Sequence, residues 1–426
     1  MDTRIEGLRA FLDGAHSAYH AQAQVVEKLL AAGYTCLRET EEWHLSAGGK
    51  YFMTRGGTSV LAFRVPQGTP QGFLMAASHC DRPGFKLKEN LELTGPYTRA
   101  GVEGYGGMLM APWLDRPLTL AGRVTVETEK GVENRLVYID RDLLLIPNVA
   151  IHMNRQANDG YKWNPAVDMQ PLLGGKDAAG RLEALLEEEA GGRILGRDLY
   201  LCLRQKSSVW GIGEEYLSAA GLDDLECVWA TTEGFLKAED SRSIPVLCVF
   251  DSEEVGSCSP QGAASMLLQG TLERICKCLS LEPGRLLGQS FMVSADNGHA
   301  LHPNHPELSD SANAPIPGGG VLIKYNANLS YSTDGLSAAV FRRICAGAGV
   351  PVQNFYNRAD TRGGSTLGHI SLAHVSVPTV DIGLAQLAMH SCFETASVKD
   401  AAYLADAMTA YYGTTLTARE DGLELE

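Results

Sequence analysis

Residues 244–257 read IPVLCVFDSEEVGS. The first seven, Ile244 to Phe250, form an apolar run rich in β-branched residues, the pattern of a buried strand. The run breaks abruptly into Asp251, Ser252, Glu253, Glu254, Val255 and Gly256. Open α/β sheets place their chemistry at the carboxyl ends of central strands, so the stretch predicts such a strand with two adjacent acids at its tip. Two acids allow two roles: one coordinates a metal while its neighbour stays free as a general base. The same composition also fits a solvated loop or the first turn of a helix, where the macrodipole favours acids. Partners in similar settings decide between these readings.

Several other apolar runs end in comparable residues. Gly72 to Ser78 delivers His79, Cys80 and Asp81 before Pro83 and Gly84 stop the strand. Phe291 to Ala295 delivers Asp296. Pro378 to Gly383 is strand-like, and a turn beyond it carries Met389, His390 and Ser391. Upstream, Gly213 to Ala220 looks helical, and Gly221 to Leu225, with Asp223 and Asp224, leads into a further apolar segment, Cys227 to Thr232. Leu8 to Ala32 has the spacing of one amphipathic helix ending at Gly33. Lys50 to Thr54 and Ser59 to Arg64, separated by Gly56 and Gly57, read as a hairpin. Helical stretches are expected from about Ala263 to Cys278 and from Val398 to Tyr412.

Between about Leu91 and Ser218 the character changes. Clustered glycines and short β-like pieces, such as Leu118 to Glu127 and Arg135 to Ile139, indicate an inserted domain with its own β-rich core. No acid or histidine there sits at an obvious strand end in company, so the insertion reads as architectural. At 426 residues the chain is long enough for two domains or for one carrying a large insertion. Hydrophobic content of 45% and charged content of 20% are ordinary for a globular protein, which argues against disorder. The net charge of −15 disfavours nucleic acid and anionic membrane as partners. The N-terminal stretch MDTRIEGLRAFLDGAHSAYHA lacks an uninterrupted apolar core of the signal-peptide kind. Ten cysteines without C-x-x-C pairs fit reduced thiols in a cytoplasmic protein. Any metal would then use histidines and carboxylates.

His79, Asp223, Glu254, Asp296 and His390 thus share a setting: each borders a strand-like run or a turn leading out of one. Two imidazoles and three carboxylates make the mixed ligand set that zinc accepts, with manganese or cobalt as substitutes. Each has a plainer reading alone. His79 and His390 fit hydrogen-bonded core histidines, Asp223 with Asp224 fits a turn or helix cap, and Asp296-Asn297-Gly298 has the composition of a turn.

Eight motifs, in order, carry a resemblance: WHLSAGGKYFMTRGG (43–57), SHCDRPGFKLK (78–88), IPNVAIHMNR (146–155), GLDDL (221–225), FDSEEVGSCSPQGAAS (250–265), SADNGHALHPNHPE (294–307), LIKYNANLSYST (322–333) and QLAMHSCFE (386–394). The chain resembles the aspartyl aminopeptidase family of dinuclear metallopeptidases over most of its length. The resemblance implies two divalent ions, zinc first, with His79 and Asp296 on one, Glu254 and His390 on the other, and Asp223 bridging. Glu253 would be the general base for the attacking water, and Asp81 would orient His79 through its second ring nitrogen. It further implies a preference for acidic N-terminal residues, with Lys324, Tyr331 and His299 around the substrate side chain. A lysine suits that role because its ammonium can pair with a carboxylate in a pocket that excludes water.

The implied architecture is a helix-sandwiched mixed β-sheet catalytic domain, residues 1–90 and 219–426, interrupted by a β-rich dimerisation domain, residues 91–218. Dimers would assemble into a dodecameric tetrahedral shell, and His152 would reach a neighbouring subunit's active site. Its interior would admit unfolded or short peptides. The chain departs from the family's pattern at AHSAYHA (15–21), Asn148, Asp224, and around Arg362 and Gly363. None removes an expected ligand or the base, and Asp251 is left as structural. Two rival readings stand: a metal-dependent deacylase or carboxypeptidase on a related domain, and a non-catalytic assembly protein that has lost the chemistry.

Overall fold

A computed structural model describes residues 3–361, 363–364 and 366–426, so the departure at Arg362 lies outside the described residues. Strand Ile244–Phe250 runs through the interior of a nine-stranded mixed sheet. It pairs in parallel with Phe73–His79 and antiparallel with Ser59–Arg64. Beyond Phe73–His79 lie Phe291–Ala295 and then Thr379–Gly383, both parallel to it, followed by Val321–Tyr325 in the opposite sense and Val352–Tyr356. The other edge is Lys50–Arg55 and the short strand Thr35–Cys36. Between Lys50–Arg55 and Ser59–Arg64, Gly56 and Gly57 take positive φ (64° and 79°), which glycine adopts without steric cost.

Strand alternation divides the central run between the two faces of the sheet. Leu247 and Val249 pack with Leu74, Ala76 and Val293 under the helices Leu222–Lys237 and Asp400–Gly413. Ile244, Val246, Cys248 and Phe250 pack with Met75, Ala77 and the helix Leu267–Cys278 on the opposite face. Burial on both faces is why this strand is apolar throughout rather than alternating. The fold is therefore the expected helix-sandwiched mixed sheet. Among the described residues, no helix is long and apolar enough to cross a membrane.

A second, antiparallel sheet of six strands draws all of them from residues 84–203 and encloses its own apolar cluster around Phe85, Leu120, Val124 and Leu199. Its first strand, Gly84–Leu93, runs through the expected boundary at 90/91. At the other end, Ser208–Trp210 and Tyr216–Ala219 pair not with this sheet but with Glu394–Ser397.

Two local expectations are corrected. The stretch Leu8 to Ala32 is not one helix: it breaks between Thr3–Gly14 and Ala18–Ala31, where Ser17 is extended (φ −153°, ψ 172°) at the start of the second helix. Gly213 to Ala220 is not helical: Tyr216–Ala219 is a strand, because pairing with Glu394–Ser397 overrides the helical preference of its Glu and Ala residues. The apolar segment Cys227 to Thr232 lies inside the Leu222–Lys237 helix.

Candidate metal centre

Register brings the expected residues together. Phe250 is the Cα partner of His79, so the chain leaves the central strand into Asp251–Glu254 beside that imidazole. Ala295 pairs with Ile382, which places Asp296 level with the end of Thr379–Gly383, on the path to His390. Asp223 arrives differently. It sits at the start of the Leu222–Lys237 helix with non-helical torsions (φ −83°, ψ 107°), directly after the strand Tyr216–Ala219.

Asp223 lies between the two histidines. Its Oδ1 is 3.6 Å from His79 Nε2, and its Oδ2 is 3.5 Å from His390 Nε2. His390 Nε2 also lies 3.4 Å from Glu254 Oε2. These separations exceed the roughly 2.7–2.9 Å of a charged hydrogen bond. They match instead the edge, about 3.4 Å, of a tetrahedron whose ligands stand roughly 2.0–2.2 Å from a central zinc. The ring tautomers agree with this. His79 Nδ1 faces the Asp81 carbonyl oxygen at 3.1 Å and His390 Nδ1 faces that of Gly107 at 2.7 Å. A carbonyl only accepts, so Nδ1 carries the proton in each ring and Nε2 presents its lone pair.

The donor set fits a cation on two further grounds. Asp223 Oδ1 and Glu254 Oε1 are buried with no hydrogen-bond partner, as is Asp224 Oδ1. Ligand atoms of His79, Asp223 and Glu254 lie within 4.8 Å of one another, and so do those of Asp223, Asp224 and Asp296. Charge points the same way. Burial, reinforced by Asp223, pushes the Glu254 carboxyl up to about 9 despite His79 and His390. Burial likewise lifts Glu253 to about 7, with His79 opposing and the Asp296, Asp223 and Asp81 carboxylates adding to it. Such crowding of buried carboxylates is relieved by a bound cation.

The Asp81 carboxylate, expected to orient His79, has its Oδ1 3.4 Å from His79 Nδ1, farther than the carbonyl oxygen of the same residue at 3.1 Å. Its two oxygens accept the backbone N–H groups of Glu253 and Glu254, both at 3.1 Å, and Oδ2 also accepts the Tyr105 hydroxyl at 2.7 Å. Glu253 is thereby fixed through its backbone, while among the described residues no group hydrogen-bonds to its carboxylate.

Lys324 is 2% exposed, and its ammonium lies 3.6 Å from Asp296 Oδ1 and 5.3 Å from the centre of the Tyr331 ring. Tyr331 and Phe355 line a small apolar cluster, against which the exposed His299 packs edge-on. The three residues expected around a substrate side chain are therefore neighbours, but Lys324 also faces a candidate ligand. His152 is apart. It occupies an exposed turn and makes none of the contacts that join the others.

The profile of the family described as aminopeptidase I zinc metalloprotease (M18) matches residues 11–412. The chain belongs to the M18 aminopeptidase family. It is thus a metalloaminopeptidase by family. A probable M18 family aminopeptidase 2 of Clostridium novyi (strain NT) is 41% identical over 409 residues, covering 92% of this chain and 94% of that protein. The solved complex of Ape4 and Nbr1 aligns with a TM-score of 0.92 at 32% identity, covering 96% of this chain and 85% of that one. A yeast mApe1 dodecamer aligns with a TM-score of 0.85 at 25% identity, covering 96% of each chain.

Several contributors to this M18 site escaped the sequence reading. The inserted sheet, read there as architectural, supplies Tyr105 to Asp81, and the bend after its strand Tyr97–Tyr105 supplies the Gly107 carbonyl to His390. Gly106, between them, has φ +69°, and an added Cβ would stand 3.1 Å from that of Glu254, so the close approach requires glycine. Glu394, 2% exposed, accepts the backbone N–H groups of both Asp223 and His390. Its spacing from His390 within QLAMHSCFE was the one available signal, and spacing does not reveal that its partners are backbone amides.

Proposed function

We propose that this chain is a dinuclear aminopeptidase that removes N-terminal residues, acidic ones preferentially, from peptides. The observation that carries the reading is the Asp223 carboxylate, with one oxygen turned to each histidine Nε2. In this reading His79 and Asp296 would hold one divalent ion, Glu254 and His390 would hold the other, and Asp223 would be shared between them. Zinc is the expected metal, with manganese and cobalt as substitutes. When bound, the ions polarise the scissile carbonyl and make water acidic enough to be deprotonated near neutral pH. Glu253, whose carboxylate takes no hydrogen bond among the described residues and whose backbone is held on Asp81, would accept that proton and pass it to the departing amine. A panel of peptides differing in the N-terminal residue, assayed on the zinc-reconstituted protein, tests the reading. Fastest turnover on Asp or Glu is expected. Hydrolysis of acyl-amino acids but not of peptides with a free N-terminus would support the deacylase instead.

Lys324 supplies the positive charge for the acidic side chain. Lys324→Ala is expected to lower kcat/KM on N-terminal Asp or Glu about 10- to 100-fold more than on neutral residues, the value of one hydrogen bond to a charged group. An equal loss on both classes would reassign Lys324 to supporting Asp296, the other group within its reach.

We further propose a homo-oligomer built on the 91–218 insertion, with dodecamers as the assembly. The exposed turn around His152 carries Val149, Ile151 and Met153 at 46%, 49% and 83% exposure, and Val167 of the helix Pro165–Asp168 is also 68% exposed, apolar surface suited to another copy of the chain. His152 would then complete a neighbour's site. His152→Ala should reduce turnover about tenfold or more, the loss of one hydrogen bond to a charged group, without changing the melting temperature. Unchanged turnover would remove His152 from the site. All ten cysteines are free thiols, which suits the reducing cytoplasm.

A further inference from the structure

Two of the candidate ligands sit on backbone with irregular torsions. Asp223 has non-helical torsions at a helix start, and His390 lies in a turn at φ 65°. The same buried carboxylate secures both. Glu394 Oε2 accepts the Asp223 N–H at 3.1 Å, and Oε1 accepts the His390 N–H at 2.8 Å. Glu394 is itself fixed by pairing with Ala219, four residues before Asp223.

The connection continues below the cluster. The Gln386 amide donates to Glu394 Oε1 at 3.4 Å and accepts from Asn297 Nδ2 at 2.9 Å. Asn297 Nδ2 also donates to the Leu222 carbonyl, and Asn297 Oδ1 accepts the Leu384 N–H. One buried chain of side chains, Glu394, Gln386 and Asn297, thus ties together the segments that carry Asp223, Asp296 and His390. Asp81 serves the opposite side in the same manner, through the N–H groups of Glu253 and Glu254.

From this geometry we infer that Glu394 is a positioning residue: its carboxylate, without touching a metal, holds Asp223 and His390 in the arrangement that binds the ions. The inference rests on the dinuclear reading above. Two N–H groups converge on it, so both of its oxygens must accept. Glutamine has one accepting oxygen and would turn an NH2 group toward one of the two donors. Groups that orient metal ligands typically contribute about 10- to 100-fold in metal affinity.

The test uses the full chain stripped of metal, titrated with zinc alone against a chromophoric chelator, with cobalt(II) loading as a spectroscopic reporter. Wild type should bind two zinc ions per chain. If it does not, the dinuclear reading fails and takes this inference with it. Given two sites in wild type, Glu394→Gln is expected to weaken at least one by about 10- to 100-fold, and to alter the visible cobalt spectrum, while the metal-free melting temperature stays near that of wild type. A folded Glu394→Gln protein with wild-type zinc affinities and cobalt spectrum would overturn the inference and leave the dinuclear reading intact. Should that variant not fold, Gln386→Met replaces it, leaving the carboxylate in place without its side-chain partner. A smaller but measurable loss of zinc affinity is then expected, and unchanged affinity in that folded protein would equally overturn the inference.

Discussion

Glu253→Gln should keep its full complement of metal and lose turnover by about 10²- to 10⁴-fold, the range over which a positioned general base contributes. Glutamine has nearly the same shape, and the hydrogen bond that fixes residue 253 to Asp81 comes from the backbone, so it survives the substitution. What disappears is the ability to take up a proton. Substrate binding should change little, so the loss falls on kcat rather than KM. Metal content measured on the same preparation separates this outcome from a damaged site. A variant within tenfold of wild-type kcat at full metal loading would remove Glu253 from the role of base.

The second large effect is expected at Asp223. Each of its oxygens faces one imidazole, at 3.6 and 3.5 Å, so replacing one by an NH2 group should leave one side of the cluster without its shared ligand. Asp223→Asn is expected to hold one zinc ion or fewer per chain, against the two proposed for wild type. Activity should fall by more than about 10²-fold, because a catalytic metal supplies several kcal/mol and each 1.36 kcal/mol is tenfold in rate. The backbone N–H of residue 223 still reaches Glu394, so the fold should persist and the melting temperature of the metal-free protein should change little. Two zinc ions bound with wild-type affinity in this variant would refute the bridging role.

Glu253 and Asp223 illustrate how far the chain could be read before folding. The strand ending at Phe250, the hairpin around Gly56 and Gly57, and the acids and imidazole at 79, 253, 254 and 296 were legible because each depends on near neighbours. An apolar run buried on both faces announces a central strand, and a parallel strand exposes whatever follows it at the same end of the sheet. Asp223 was legible as a residue type but not as a place. It enters from a helix start whose preceding strand had helical composition.

The contacts that hold these groups in position depend instead on residues far apart in the chain. Glu394 meets Asp223 across 171 residues, and the Gly107 carbonyl meets His390 across 283. Tyr105 belongs to a sheet that, by sequence, had no part in the chemistry. A side chain's acid–base character and the local periodicity around it are written in the sequence of this protein, so the candidate ligands and the candidate base could be named from it. The hydrogen-bond partner of each is set by which surfaces meet when two sheets and their helices pack. Only the tertiary structure could decide that the two-sided acceptor of the site is Glu394, and that the insertion reaches both histidines' surroundings through Tyr105 and Gly107.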